Sequence, residues 1–360
     1  MQLLISYTRV SALVLLFSVL AACSGGGSNT PVSNEQSPAT TTPDPEPTTV
    51  PTLALEFTEP PFDLQGNAAQ YAADVSYGPD ARNVFDIFLP ESDAPTSLAI
   101  YIHGGGFDGG DKESAYSDGG DAIVRSLLER NIAFASINYR LLEDMDEDGV
   151  IKPMSDSQRA LQFMRYHSAS LNINKMSVGL LGGSAGAGTS LWLAFSDDRA
   201  IVDHEDPVLR ESTRVQTAVA IETQGSYDLV RWETDIFQSF GITLDLLSAD
   251  PELAARILSF NGADSLADLY TEQGAAYRAD VDMLALMSVD DPEFFVSNAN
   301  HPGTLPASTS ALLHHPRHGQ VLLERADAIG LSSVVYLPTL GILHPSGEGP
   351  VDFLIRKLNQ

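Results

Sequence analysis

The stretch "MSVGLLGGSAGAGTSLWLAF", Met176 to Phe195, leaves the chain few ways to fold. An apolar run suited to a buried strand, Met176 to Gly182, is followed at once by "AGAGTSLWLAF", which reads as the start of a helix. Only a sharp turn can join them, and the glycines of "GGSAG", Gly182 to Gly186, let the backbone make it without side-chain clash. The same alternation runs through the chain. "LAIYIH" (Leu98 to His103), "IAFASINY" (Ile132 to Tyr139), "VQTAVAIET" (Val215 to Thr223), "EFFVSN" (Glu293 to Asn298) and "SSVVYL" (Ser332 to Leu337) read as strands. "DVSYG" and "NVFDIFLP" read as two edge strands, and "DSQRALQFMRYHSASL" and "GPVDFLIRKL" as amphipathic helices. The pattern predicts an α/β fold, a mostly parallel sheet with helices on both faces. Between Tyr227 and Ser288 lies a helical region too long for a crossover, expected to form a cap at about 227–288 over one edge of the sheet.

The N-terminus has a different character. "MQLLISYTRVSALVLLFSVLAAC" carries one Arg and an apolar run, Ala12 to Leu20, too short to span a membrane, and reads as an export signal over residues 1–23. "LAAC", Leu20 to Cys23, resembles the bacterial lipobox, which implies cleavage before Cys23 and lipid attachment to its thiol. Cys23 is the only cysteine, so no internal disulfide can form. Residues 24–52, rich in Pro, Thr, Ser and Gly, cannot bury a core and read as a disordered tether. Residues 53–360 remain for one α/β domain. Ser24 lacks the Asp associated with inner-membrane retention, which by resemblance suggests an exported lipoprotein of the outer membrane. The net charge of −28 argues against nucleic acid and anionic membrane surfaces as partners, leaving the lipid anchor as the only membrane contact expected.

"GGSAG" between a strand and a helix is the context of a G-x-S-x-G nucleophile elbow, with Ser184 as nucleophile. "HGGGF", His103 to Phe107, ends another strand. The N–H groups of Gly105 and Gly106, with that of Ala185, could bind the anionic oxygen of a tetrahedral intermediate. Together "YIHGGGFDGGDK", "NYRLL" and "GLLGGSAGAGTSLWLAF" resemble the carboxylesterase and lipase branch of the α/β-hydrolase fold. The resemblance implies an eight-stranded sheet, a catalytic His near the C-terminus, hydrolysis of carboxylic esters, and no cofactor or metal. The substrate would be a small-molecule, lipid or glycan ester.

Of eight histidines, His344 follows the last strand, where the family places its base. His103 is expected to brace the glycine loop, and His314, His315 and His318 in "HHPRHGQ" to mark a solvated helix start rather than a metal site. The acid is harder to find, because no Asp or Glu lies between Glu293 and Glu324, where the family usually keeps it. Asp290, Asp291 and Glu293 precede the strand and should lie at its far end. Asp228 is the first candidate for a displaced acid and Glu222 the second. Alternatively Asn298 or Asn300 orients the base through a neutral hydrogen bond. Asp144, Asp146 and Asp148 have the spacing of half a calcium loop without its bidentate Glu, and a solvated acidic loop is the plainer reading. Two other functions stay open: a peptidase or amidase on the same scaffold, and a surface protein that binds a ligand without catalysis.

Overall fold

The computed structural model describes residues 50–144 and 146–360; the signal, Cys23 and nearly all of the tether lie outside them. Ten strands make one sheet: β1 (Phe57–Thr58), β2 (Ala69–Ser76), β3 (Val84–Pro90), β4 (Thr96–Ile102), β5 (Ile132–Ile137), β6 (Ile173–Gly183), β7 (Thr217–Ile221), β8 (Phe294–Ser297), β9 (Ser333–Leu337) and β10 (Ile342–Leu343). Their order is β1-β2-β3-β5-β4-β6-β7-β8-β9-β10. From β5 to β9 all neighbours are parallel, while β1, β2, β3 and β10 pair antiparallel. The eight expected strands are thus β2 to β9, and a two-residue strand extends each edge. "NVFDIFLP" is not an edge strand: β3 lies between β2 and β5, which is why its residues are almost all buried.

Alternation along the strands divides the core. Ile100, Ile102, Val178, Leu180, Ala218 and Val296 face one side, which is covered by α2 (Ile151–Tyr166), α3 (Ala185–Phe195) and α10 (Pro316–Ile329). Ala99, Phe134, Leu181, Val219 and Phe295 face the other, against α1 (Gly120–Leu128) and α11 (Pro350–Leu358). Five short helices lie between β7 and β8: α4 (Leu229–Arg231), α5 (Leu244–Leu247), α6 (Pro251–Asn261), α7 (Glu272–Asp280) and α8 (Met283–Leu286). Leu229, Trp232, Phe237, Leu244 and Ile257 form a separate apolar cluster there, joined by Leu312 of α9 (Thr309–Leu313).

After β4 the chain turns to β5 on one side, then crosses back to β6 on the other. This reversal opens a crevice between the carboxyl ends of β4 and β6, the position where α/β sheets bind ligands. The glycine loop leaves β4 and the Ser184 turn leaves β6, so both face that crevice. A buried polar hub holds the loop's far end. Asp86 of β3, 1% exposed, accepts from Lys112 Nζ and from the hydroxyls of Tyr71 and Tyr116, all at 3.1 Å. The Lys112 amide donates to Asn138 Oδ1 at 2.7 Å, and its carbonyl accepts from Ser136 Oγ at 2.7 Å.

Replacing Lys112 with Met strands the Asp86 carboxylate inside the sheet, and removing one partner of a buried pair costs about 3–5 kcal/mol. Urea unfolding of Lys112→Met should show a lower midpoint at unchanged slope. A loss below about 1 kcal/mol, no more than an exposed pair is worth, would mean that the tyrosines alone hold the charge.

Candidate active site

Ser184 has φ 51° and ψ −117°, a conformation side chains rarely tolerate. Two close approaches impose it. A Cβ on Gly186 would run into the Ile102 carbonyl of β4, and a Cβ on Gly182 into the backbone of Gly186. The helix therefore starts directly against the sheet, and the serine is pushed out of the turn at a cost of about 1–3 kcal/mol in backbone strain. The Ser184 amide is fixed by a 2.8 Å hydrogen bond to Ile221 O.

His314, not His344, is the histidine the structure brings to this serine: Ser184 Oγ and His314 Nε2 lie within hydrogen-bond distance, 2.8 Å apart. His344 is carried away because β10 folds back antiparallel to β9, pairing Leu343 with Tyr336. Its Nδ1 bonds Ser346 Oγ at 2.8 Å, and its ring meets Tyr336. His314 ends α9, in the loop between β8 and α10. The neighbouring histidines are buried supports rather than a solvated helix start. His315 caps α10 and donates through Nε2 to Thr304 O at 2.9 Å. His318 accepts from the Gly225 amide at 3.2 Å and donates to Leu312 O at 3.0 Å. Both rings are 0% exposed, and burial pushes the pKa of His318 down to about 3, so it stays neutral. Asn298 acts on the loop's backbone rather than on the imidazole. Its Nδ2 donates to Thr223 O at 2.8 Å and approaches the carbonyls of His314 and His315 at 3.5 and 3.4 Å.

Asp228 does not reach His314. Its carboxylate caps α4 through the Val230 amide at 2.9 Å and pairs with Arg278 at 2.8 and 3.1 Å, so both oxygens are engaged at the root of the cap. Asp291 and Glu293 pair with Arg214 and Arg356 at the amino end of β8. Glu222 does line the crevice, together with Ser184, Asn300, His301, Ser310 and His314. It follows β7 with φ 52°, and its Oε1 accepts from the amides of Ala299 and Asn300 at 2.8 and 3.1 Å. Its Oε2 is buried and, among the described residues, has no hydrogen-bond partner. Burial raises its pKa, opposed by the two amides and by His301. His314 Nδ1 faces the backbone carbonyl of Ser310, with which the ring hydrogen-bonds, and the Ser310 hydroxyl at 3.5 Å.

The glycine loop is held from both ends. His103 stacks on Tyr139 with ring centroids 4.1 Å apart and donates to Gly104 O at 2.7 Å. Tyr139 OH donates to His103 O at 2.8 Å. Burial lowers the His103 pKa to about 4, so it is a neutral brace. Tyr227 OH donates to Ala185 O at 2.8 Å, tying the start of α3 to the cap. Among the described residues no acceptor takes the amides of Gly105, Gly106 or Ala185, which leaves all three open to a ligand oxygen.

Two clefts meet at Ser184. One is apolar, lined by Phe107, Leu244, Leu247, Leu253, Ile257 and Leu313 among others. The other is more open and the more polar of the two, with Tyr101, Ser114, Glu222, Asn300, His301 and His314 among its lining. Elsewhere, Asp146 is engaged by Lys152 and by the amides of Glu143 and Asp148, and no cluster of three or more His, Cys, Asp or Glu able to hold a metal is present among the described residues.

A family model described as BD-FAE matches residues 85–258, from β3 into α6, and ends before His314. No curated protein matches the chain in sequence. Among solved structures, a truncated carbohydrate esterase from gut microbiota superposes with a TM-score of 0.58 at 16% identity, covering 82% of this chain and 98% of that one. An inhibitor-bound esterase B from Lactobacillus rhamnosis gives 0.53 at 16% identity over 81% and 86%. A bifunctional GH43-CE protein from Bacteroides eggerthii gives 0.55 at 18% identity over 80% of this chain and 38% of that one. With the strand order and the serine turn, these likenesses show that the chain has the α/β-hydrolase fold.

The geometry makes a prediction that separates the two histidines. A fluorophosphonate probe should label Ser184 in the wild type and in His344→Ala at similar rates. His314→Ala should label at least about 10³-fold more slowly, the scale on which triad members contribute. Equal rates in wild type and His314→Ala would remove His314 from the site.

Proposed function

We propose that the protein is a serine hydrolase acting on carboxylic esters. The observation that carries this reading is the 2.8 Å contact between Ser184 Oγ and His314 Nε2 on a strained turn that faces open glycine amides. Ser184 Oγ attacks the ester carbonyl carbon while its proton passes to His314 Nε2. The carbonyl oxygen becomes an oxyanion received by the amides of Gly105, Gly106 and Ala185. Collapse of this intermediate expels the alcohol, which takes the proton from His314. Water, deprotonated by His314 in turn, then releases the acid and restores Ser184.

The position of His314 also orients the substrate. The departing alcohol must reach His314 Nε2, and His314 lines the polar cleft but not the apolar one. The alcohol therefore occupies the polar cleft and the acyl group the apolar pocket under the cap. A hydroxyl-bearing alcohol finds donors and acceptors in Tyr101, Ser114, Asn300 and His301. This matches the carbohydrate esterase named among the structural neighbours. Esters are favoured over amides because His314 Nδ1 rests on neutral groups of Ser310, its carbonyl and its hydroxyl, rather than on a carboxylate. An amine leaving group demands full protonation, which such a base supports less well. We further infer that Cys23 carries the lipid anchor of an exported lipoprotein, with residues 24–52 as its tether.

p-Nitrophenyl esters from acetyl to octanoyl should be turned over, and the matching anilides should not. Leu253→Trp should fill the apolar pocket and lower kcat/KM for the octanoyl ester by at least about tenfold while sparing the acetyl ester, since each methylene in such a pocket is worth about 1–3 kcal/mol. A folded but inert wild type would give the ligand-binding reading the lead.

Burial, then the charge of His301, hold the His314 pKa below the ordinary 6.5. A base must be neutral, so a lowered value keeps it competent further into acid. The kcat/KM profile should stay flat as pH falls through 6.5 and drop only below it. A limb centred above 6.5 would contradict this environment for His314.

A further inference from the structure

The base needs an orienting partner at Nδ1, and the carboxylate expected in that role is absent from it. What stands there is a chain of side chains. Ser310 Oγ lies 3.5 Å from His314 Nδ1 and 3.1 Å from His301 Nε2. The rings of His301 and His314 are nearly parallel, at 14° with centroids 6.0 Å apart. The turn leading into His301 is fixed by Glu222, whose Oε1 takes the amides of Ala299 and Asn300, the two residues just before it. On the other side Thr339 Oγ1 donates to His301 O at 2.9 Å. His301 is thus anchored from both β7 and the loop after β9, although it belongs to neither.

Resting on the ester-hydrolase reading, we propose that His301, presented by a Glu222-anchored turn and coupled through the Ser310 hydroxyl, orients His314 in place of a carboxylate. Ser184 O–H donates to His314 Nε2, so the resting His314 carries its proton on Nδ1. That N–H is shared between the Ser310 carbonyl and Ser310 Oγ, and the Ser310 hydroxyl in turn donates to His301 Nε2. The chain fixes one tautomer and one ring orientation of His314. When His314 takes the serine proton, the imidazolium charge meets a polarised hydroxyl whose own proton already points to a ring nitrogen. No proton has to leave Nδ1. The Glu222 carboxylate, with Oε2 uncommitted among the described residues, supplies the negative charge at the far end. Ser310, His301 and Glu222 are positioning residues. The other histidines packed nearby, His315 and His318, have their ring nitrogens engaged with Thr304 O, the Arg317 amide, Leu312 O and the Gly225 amide, and do not compete for Nδ1.

The experiment measures kcat, KM and the pH profile on p-nitrophenyl acetate for the full chain and for Ser310→Ala, Ser310→Thr, His301→Gln, Glu222→Gln and the double variant Ser310→Ala/His301→Gln. Ser310 is exposed, so its variants test the chain without disturbing the core. Ser310→Ala and His301→Gln should each lower kcat by about 10- to 100-fold with KM nearly unchanged, the range seen when an outer partner of a functional histidine is removed. Ser310→Thr, which keeps the hydroxyl, should recover most of the activity. The double variant should fall no further than the deeper single variant, because members of one chain are not additive. Glu222→Gln, which keeps the amide anchor but loses the charge, should lower kcat by about tenfold. An active wild type whose Ser310 and His301 variants stay within twofold, or whose losses multiply in the double variant, overturns the proposal and leaves the ester-hydrolase reading standing. An inert wild type overturns both.

Discussion

The contact of Gly186 with the Ile102 carbonyl is the constraint on which the rest depends. Helix α3 has to begin against β4 with no room for a side chain, and this pushes Ser184 into a left-handed backbone conformation. The strain is held by the large apolar faces on either side of the sheet, and by the hydrogen bond from the Ser184 amide to Ile221 O on β7. Because β4 and β6 are neighbours, the same closeness lays the glycine loop beside the serine. Gly104 packs so near that a Cβ on it would press against Gly183 O and the Ser184 side chain. The outward Ser184 hydroxyl and the open amides beside it are one consequence of one packing requirement.

The cap turns this general machinery into a shaped site. Its apolar cluster takes in Leu312 of α9, two residues before His314, so the segment carrying His314 is packed against the elements that line the apolar pocket. Arg256 of α6 reaches down to Gly106 O at 3.3 Å and to Asp108 at 3.3 Å. Tyr227 does the same for the start of α3. The apolar pocket, His314 and the open glycine amides are therefore mechanically connected. The charge of the surface contributes nothing visible to this arrangement.

Much of this was legible in the sequence, for physical reasons. Apolar runs such as "LAIYIH" can only be central strands, and the glycines around Ser184 read as a turn because the stereochemistry allows little else. His344 misled because it follows the last long strand, and the two-residue β10 that folds it back is too short to leave a pattern. His314, His315 and His318 lie within five residues and carry no local mark to separate base from brace. The choice is made by distant partners: Ser184, Thr304 and Gly225. Asp228 and Glu222 both follow β7, and only Arg278, fifty residues on, shows that Asp228 belongs to the cap. The long gap without Asp or Glu after β8 was a real signal. It marks the stretch where Ser310 and His301, rather than a carboxylate, approach the base.

The central claim is that Ser184 becomes covalently acylated with His314 as its proton acceptor. Rapid quenching during turnover of a p-nitrophenyl ester, followed by mass analysis of the peptide that carries Ser184, tests it directly. A burst of p-nitrophenol equal to the enzyme concentration, with the acyl mass on Ser184, is the result expected. Steady ester hydrolysis with no burst, no acylated serine and undiminished turnover in Ser184→Ala would show that water is attacking without a covalent intermediate, and would contradict the account.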